Sequence, residues 1–308
     1  MPKIPVGATI AQTYRFAFGN FAQIASIVWL PWLTLTAGAV LLRAQTVAFS
    51  NAIMAHDMPG GFSALGVLVP FYLLSSFLLF MQITGITQQA LGLRTGSPYY
   101  YFNAGKPVWH LIGAFLLATL IMIVGYLLVI AAGVVLGMLI GLLSGALKFS
   151  AALRTVLVII AVAVAFCVYT YSVVRLVFLL NPVVVAQARI DLGRSWSLAG
   201  GNFWRIILVL LAVLMPVMTV MIYLMLHFLL QGMPPTLPLH ASADQIAANQ
   251  AMVNAWSAAM MRRTMDNWFI VYPAYGLAAV LLYGLACGAQ SFAYRALVPQ
   301  LDTSANRP

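Results

Sequence analysis

The sequence predicts an all-α, polytopic membrane helix bundle, with six transmembrane helices and interfacial amphipathic helices leading into some of them. Three observations carry this. Hydrophobic residues fill 63% of the 308 positions, charged residues only 6%, and the mean hydropathy is +1.00, whereas about a quarter of a soluble domain is charged. Apolar runs lie near 23–42, 64–86, 110–147, 155–180, 204–230 and 268–291, each long enough for the roughly 20 residues that a helix needs to cross a bilayer. Finally, Ile10 to Ile24 (IAQTYRFAFGNFAQI) and Leu192 to Ile206 (LGRSWSLAGGNFWRI) align without a gap, the mark of a repeated unit.

In the first copy, positions 10, 14, 17 and 21 share one helix face, with Gln12 and Arg15 opposite. That pattern predicts an amphipathic helix in the headgroup zone. Gly19, Asn20 and Phe21 then read as an elbow into the first span, because Gly and Asn tolerate positive φ. Ala44 to Ser63 reads as a small outer loop with Pro59-Gly60-Gly61 as its turn. Before the third span, Ala104-Gly105 followed by Trp109-His110-Leu111-Ile112 is a worn echo of Ala199-Gly200 followed by Trp204-Arg205-Ile206-Ile207.

The third run is ambiguous. Leu111 to Leu147 holds 37 uncharged residues, about 55 Å of helix against a core of about 30 Å, so it is one long helix or a hairpin of two. Two arguments favour one. With six spans and a cytoplasmic N-terminus, nine Lys and Arg fall inside (Lys3, Arg15, Arg94, Lys106, Arg189, Arg194, Arg205, Arg295, Arg307) and five outside, as the positive-inside rule prefers. Four spans between the echoed copies also keep both on one face. Gly133, Gly137, Gly141 and Gly145 recur every four residues, a track on which another helix can approach closely, within the bundle or from a neighbouring subunit. Gly284 and Gly288 make a shorter version.

Arg175 is the one charge inside an expected span, which makes it a functional-site hypothesis. Asn181-Pro182 bears on its depth. A helix continuing through the proline puts Arg175 about 20 Å from Arg189, near mid-membrane; a new helix starting there leaves Arg175 about 9 Å from a helix end, able to snorkel. The second copy of the echo follows, with Leu192, Trp196, Ala199 and Phe203 on one face, Asp191 and Arg194 opposite, and an elbow carried by Ser195, Trp196, Gly201, Asn202 and Phe203. Gln231 to Asn267 is a larger outer loop that opens with Pro234, Pro235 and Pro238. In it Ser242 or Asp244 can cap an amphipathic helix with Ile246, Val253, Trp256 and Met260 on its apolar side. The whole divides into one integral membrane domain of three helical-hairpin repeats, about 1–92, 93–188 and 189–300, running in the same direction rather than inverted.

Little chemistry is available. The chain has no glutamate, and its acids are Asp57, Asp191, Asp244, Asp266 and Asp302, too few and too dispersed for paired acid/base work or an oxygen-rich cation cage. His56, His110, His227 and His240 are scattered and no cysteine joins them, so no metal and no cofactor is expected. The net charge of +10 is spread singly between apolar runs; that pattern sets orientation and touches anionic lipid, and it excludes nucleic acid as a partner. Cys167 and Cys287 lie in apolar runs and read as small buried hydrophobes. The N-terminus shows no cleaved-signal pattern. Arg175, Asn181 and His227 are left as the candidate ligand or lipid contacts.

The segment RLVFLLNPVVVAQARIDLGRSWSLAGGNFWRI, Arg175 to Ile206, resembles the signature of a bacterial inner-membrane superfamily that includes the YciC-like proteins and the membrane domain found beside some glycerophosphodiester phosphodiesterases. Its arginine, proline and Ser-Trp-x-Leu-x-x-Gly-Asn-Phe elbow correspond to Arg175, Pro182, Ser195, Trp196, Leu198, Gly201, Asn202 and Phe203. Relatives often carry an acid where this chain has Gln187, and the phosphodiesterase barrel is missing. The resemblance implies six spans in a bacterial cytoplasmic membrane with both termini cytoplasmic. The expected function is non-enzymatic: a scaffold or accessory subunit packing against membrane lipids, a second copy, or a partner membrane protein. The rival is a transporter or lipid-handling protein for an anionic molecule or headgroup.

Overall fold

The structure, a computed structural model, describes residues 2–54, 57–94, 101, 103–147, 150–229, 242–266 and 268–298. These form eleven helices: α1 (Val6–Gly19), α2 (Phe21–Leu41), α3 (Arg43–Met54), α4 (Met58–Leu91), α5 (Lys106–Leu147), α6 (Ala151–Val177), α7 (Leu180–Gln187), α8 (Leu192–Ala199), α9 (Phe203–Leu229), α10 (Ala243–Asp266) and α11 (Trp268–Leu297). Six segments are long and apolar enough to cross a membrane: Phe21–Leu41, Met58–Leu91, Lys106–Leu143, Thr155–Gln187, Phe203–Tyr223 and Pro273–Leu297. The chain is a multi-pass, all-α membrane protein, and its third apolar run is one unbroken helix.

The stretch expected as an outer loop, Ala44 to Ser63, is instead mostly helix. Only 55–57 separate α3 from α4, and Pro59-Gly60-Gly61 lie in the first turn of α4. The reason is the cap: Asp57 Oδ1 accepts the Gly60 N–H at 3.2 Å. Pro59 sits where a helix has no use for its missing N–H. On the same side, Ser242 caps α10 through a reciprocal box, with the Gln245 N–H on Ser242 Oγ at 3.3 Å and the Ser242 N–H on Gln245 Oε1 at 2.9 Å. Along α10 the half-buried positions are Asn249, Val253, Trp256, Ala259 and Met260, while Ile246 is exposed. Pro234, Pro235, Pro238 and His240 lie outside the described residues, as do His56, the side chain of His227 and the surroundings of Gly145.

Packing concentrates towards the end of the bundle that carries the N-terminal segment. On α9 the buried residues are Ile206, Val209 and Val213; on α5 they are Val108, Leu111, Ala114 and Ala118; on α6 burial begins at Leu176. Beyond these, α5 and α6 stand apart as a hairpin, joined at Tyr126 and Tyr169 with ring centroids 6.0 Å apart. None of the most apolar window of Thr155–Gln187 is buried and only 11% of that in α5, against 44% in the last span. The hairpin's outer two-thirds therefore present apolar surface to the surroundings on all sides. Cys167, on α6, is exposed there, and Cys287 alone of the two cysteines is buried.

The first echoed copy packs lengthwise in the bundle. The Ile4 N–H donates to Asn202 Oδ1 at 3.0 Å and the Tyr14 hydroxyl to the Ala212 carbonyl at 2.9 Å. The constant offset means that α1 runs parallel to α9. Against α11 it runs antiparallel, with Thr13 and Phe16 at Gly288 and Ala17 and Ile24 at Gly284. Its buried stripe is Thr9, Thr13, Phe16 and Ala17, rotated from the expected face of Ile10, Tyr14, Ala17 and Phe21. In α8 the buried residues are Ser195 and Ala199, so both copies bury the same hydroxyl and alanine positions.

Candidate functional site

The expected elbows differ from each other. Between α1 and α2 a single residue, Asn20 at φ −111°, interrupts the helix; its N–H still reaches the Phe16 carbonyl and its own carbonyl accepts the Ile24 N–H. This is a kink, and neither Gly19 nor Asn20 uses the positive φ expected of it. The second copy does turn: Gly201 adopts φ +72°, a conformation that favours glycine.

That turn is built around Arg175. Helix α6 ends at Val177, and α7 starts at Leu180, placing Asn181 and Pro182 in its first turn. The break falls a few residues before Asn181, so Arg175 lies in the last turn of α6, within the apolar segment Thr155–Gln187 but beside the break in its helix. Its guanidinium donates from Nη2 to the Trp196 carbonyl at 2.9 Å and from Nη1 to the Tyr171 hydroxyl at 3.0 Å. It also stacks over the Trp196 ring at 4.3 Å and the Tyr171 ring at 5.4 Å. In return the Ser195 hydroxyl donates to the Leu176 carbonyl at 2.9 Å. The last four carbonyls of a helix have no partner within it. Here α6 satisfies one at the end of α8, and α8 satisfies one at the end of α6. Both helix ends are negative dipole ends, which favours the cation.

Gly200 completes this latch. A Cβ there would lie 2.9 Å from Arg175 Nη2 and 2.9 Å from the Ser197 carbonyl oxygen. The first copy has Phe18 at the matching position, 61% exposed and stacked on Tyr14. Its Thr13 hydroxyl bonds only to the Thr9 carbonyl of its own helix, at 2.7 Å. Gly200→Ala is therefore expected to push the guanidinium off the Trp196 carbonyl and to cost about 1.5–3 kcal/mol, the range for a hydrogen bond to a charged group. Thermal melting in detergent reads the loss, with Tyr171→Phe, which removes only the outer hydroxyl, as the milder comparison.

Asn181 does not face Arg175. Its Nδ2 donates to Gln290 Oε1 on α11 at 2.7 Å, while its Oδ1 is buried without a partner among the described residues. Two turns on, Gln187 Nε2 donates to the Tyr294 hydroxyl at 3.4 Å and its Oε1 accepts from Arg189 Nε at 3.2 Å. Gln187, standing where relatives often carry an acid, thus serves Arg189 and not Arg175. Arg189 also pairs with Asp191 at 2.8 Å, and Asp191 caps α8 through the Arg194 N–H. Asn181 and Gln187 form a polar seam that docks α7 on α11.

A third polar group joins α2, α4 and the segment after α4. Gln89 Nε2 donates to Gln23 Oε1 at 2.6 Å, and the Tyr101 hydroxyl donates to Gln88 Oε1 at 3.0 Å, with Arg94 5.7 Å from the Tyr101 ring centroid. Burial pushes the Tyr101 phenol up to about 12, partly offset by the Arg94 charge, and burial lowers the Arg94 value. The phenol stays neutral and remains a donor.

The glycine track behaves differently from these sites. A Cβ added at Gly133, Gly137 or Gly141 would meet nothing within 4 Å, so no helix among the described residues is seated on the track there. Among the described residues no group of three His, Cys, Asp or Glu is placed to hold a metal. Sequence reasoning singled out Arg175, Ser195, Trp196 and Gly201 and missed Tyr171, Gly200 and Gln290. Tyr171 was detectable in principle, four residues before Arg175 on the same face; Gln290 and Gly200 depend on tertiary contact. Compared with known proteins, the chain matches no family model, no curated protein and no solved structure.

Proposed function

We propose that this protein is a non-enzymatic component of a bacterial cytoplasmic membrane, with both termini cytoplasmic, acting as a scaffold or accessory subunit that packs against lipid and a partner membrane protein or second copy. The observation behind this reading is the α5–α6 hairpin. It is longer than the bilayer requires, buries almost nothing of its outer two-thirds on its own chain, and carries glycines at Gly133 and Gly137 with open space where a side chain would be. Small residues in register are how membrane helices approach one another closely. The orientation rests on the excess of Lys and Arg at the end bearing the termini. The resemblance of Arg175 to Ile206 to the six-span superfamily agrees with it.

Native mass spectrometry after mild detergent extraction is expected to show a stoichiometric assembly; a bare monomer overturns the scaffold. Replacing Gly133 and Gly137 with leucine is expected to abolish that assembly while the melting of the monomer is unchanged or slightly raised. Intact assembly in this variant refutes the role of the track.

A transporter or lipid-handling function through Arg175, Asn181 and His227 has less behind it, since Asn181 is engaged in docking α7. What favours it is the Arg175 charge, which has no carboxylate opposite it among the described residues.

A further inference from the structure

The Arg175 guanidinium is fixed in place, and among the described residues it meets no carboxylate. Among the described residues the one ion pair is Arg189 with Asp191. Asp57 caps α4, Asp244 and Asp266 belong to α10, on the other side of the spans, and Asp302 lies outside the described residues. Two of the five guanidinium N–H groups are bonded to this chain, and Nε–H is buried without an acceptor. The side chain is half-buried, so the unused N–H groups of Nη1 and Nη2 lie at the margin of the protein. Trp196 stacks on it, and Tyr171 packs on Phe203, which meets the 74%-exposed Trp204; tryptophan is the residue type that sits at headgroup level. An arginine held at the end of a membrane helix, with no carboxylate of the described residues beside it, takes its counterion from its surroundings. At that level the concentrated anion is lipid phosphate, whose oxygens match the guanidinium fork.

We propose that Arg175, held by Tyr171 and Trp196 at the α6–α8 junction, binds the phosphate of an anionic membrane phospholipid. This deepens the lipid part of the scaffold reading. Its test reads lipid and not assembly, so either can fail without the other.

The wild-type protein is reconstituted in nanodiscs of neutral phosphatidylcholine, with or without phosphatidylglycerol, and examined by native mass spectrometry and thermal melting. Retained phosphatidylglycerol and a melting temperature that rises with its fraction are expected. Equal retention of the two lipids by the wild type overturns the proposal without any variant. Arg175→Gln is expected to lose both the preference and the melting increment, while Arg262→Gln, on α10, keeps them; loss of neither or of both overturns the assignment to Arg175. Arg175→Lys keeps the charge without the fork and is expected to retain a reduced preference. In a further arm, inorganic phosphate is added to the phosphatidylcholine nanodiscs. No shift is expected, and a shift equal to that given by phosphatidylglycerol shows a site for aqueous phosphate and overturns the lipid assignment.

Discussion

Asn202→Ala is expected to detach the N-terminal segment from the second elbow and to cost about 1–3 kcal/mol, the penalty for leaving the one buried group, the Ile4 N–H, without an acceptor. Asn202 is 1% exposed; its Oδ1 accepts the Ile4 N–H at 3.0 Å and its Nδ2 donates to the Pro2 carbonyl at 3.2 Å. Ile4 is itself fully buried, so its N–H cannot turn to water when the acceptor is removed. Arg205 Nη1 still holds the Ile4 carbonyl at 2.8 Å, which limits the damage to the segment before α1. The comparison is Asn20→Ala at the echoed position. There the side-chain amide donates only to the Phe16 carbonyl of its own helix, at 3.2 Å, so a cost below about 1 kcal/mol is expected. Hydrogen exchange at the Ile4 amide and thermal melting of both variants decide this. Equal effects would mean that the two asparagines are interchangeable and that the tie to Ile4 contributes nothing.

That contrast shows how far the echo could be read from sequence. Its existence, and the rule that both copies precede a span, follow from residue identity alone. The roles of its residues do not. Thr13 and Ser195 occupy the same position and are both fully buried, yet one bonds within its helix and the other closes the end of α6. What separates them is the neighbour: the end of α6 brings the Leu176 carbonyl to Ser195, whereas Thr13 packs on Gly288 of α11. The predicted face of α1 was likewise rotated, because hydrophobicity ranks Ile10 and Tyr14 above Thr9 and Thr13. Close packing on Gly288 instead selects the smaller Thr13 side chain.

The spans themselves were legible because composition decides them: long uncharged runs have no alternative in a bilayer. The helix at Arg43–Met54 was not, since its residues are neither apolar nor periodic enough to stand out and Pro-Gly-Gly is ordinarily a turn signal. Asp57 converts that signal into a helix start. Arg175 stood out as a lone charge in an apolar run, but its depth hung on where the helix broke, and Leu176, Leu179 and Leu180 look helical throughout. The break follows from tertiary pairing: the Leu176 carbonyl bonds to Ser195, and Leu179 and Leu180 are fully buried in the cores on either side.

The glycines reverse their order of apparent strength, and the last prediction turns on it. Four in register on α5 is the more specific pattern in sequence, and Gly284 with Gly288 the weaker, but it is the pair that this chain packs. A Cβ at Gly284 would lie 3.0 Å from Ile24 Cδ1, and one at Gly288 3.1 Å from Phe16 Cδ1, at the crossing where α11 meets α1 and α2. Leucine at both positions gains helix propensity, up to about 1 kcal/mol each. Against this, overpacking costs about 1–3 kcal/mol per site before the two branches displace α1. The steric term wins, because Ile24 is fully buried and Phe16 is pinned by Phe292 at 5.8 Å, so neither neighbour can give way. A net loss of about 2–4 kcal/mol is expected, with α1 released from α11 and new accessibility at Thr13→Cys. The same two substitutions at Gly133 and Gly137, with identical spacing and the same propensity gain, leave the monomer as stable as before or more so. If the two double variants melt alike in the monomeric state, close approach at Gly284 and Gly288 is not what holds α1 in the bundle, and the Asn202 tie must carry it alone.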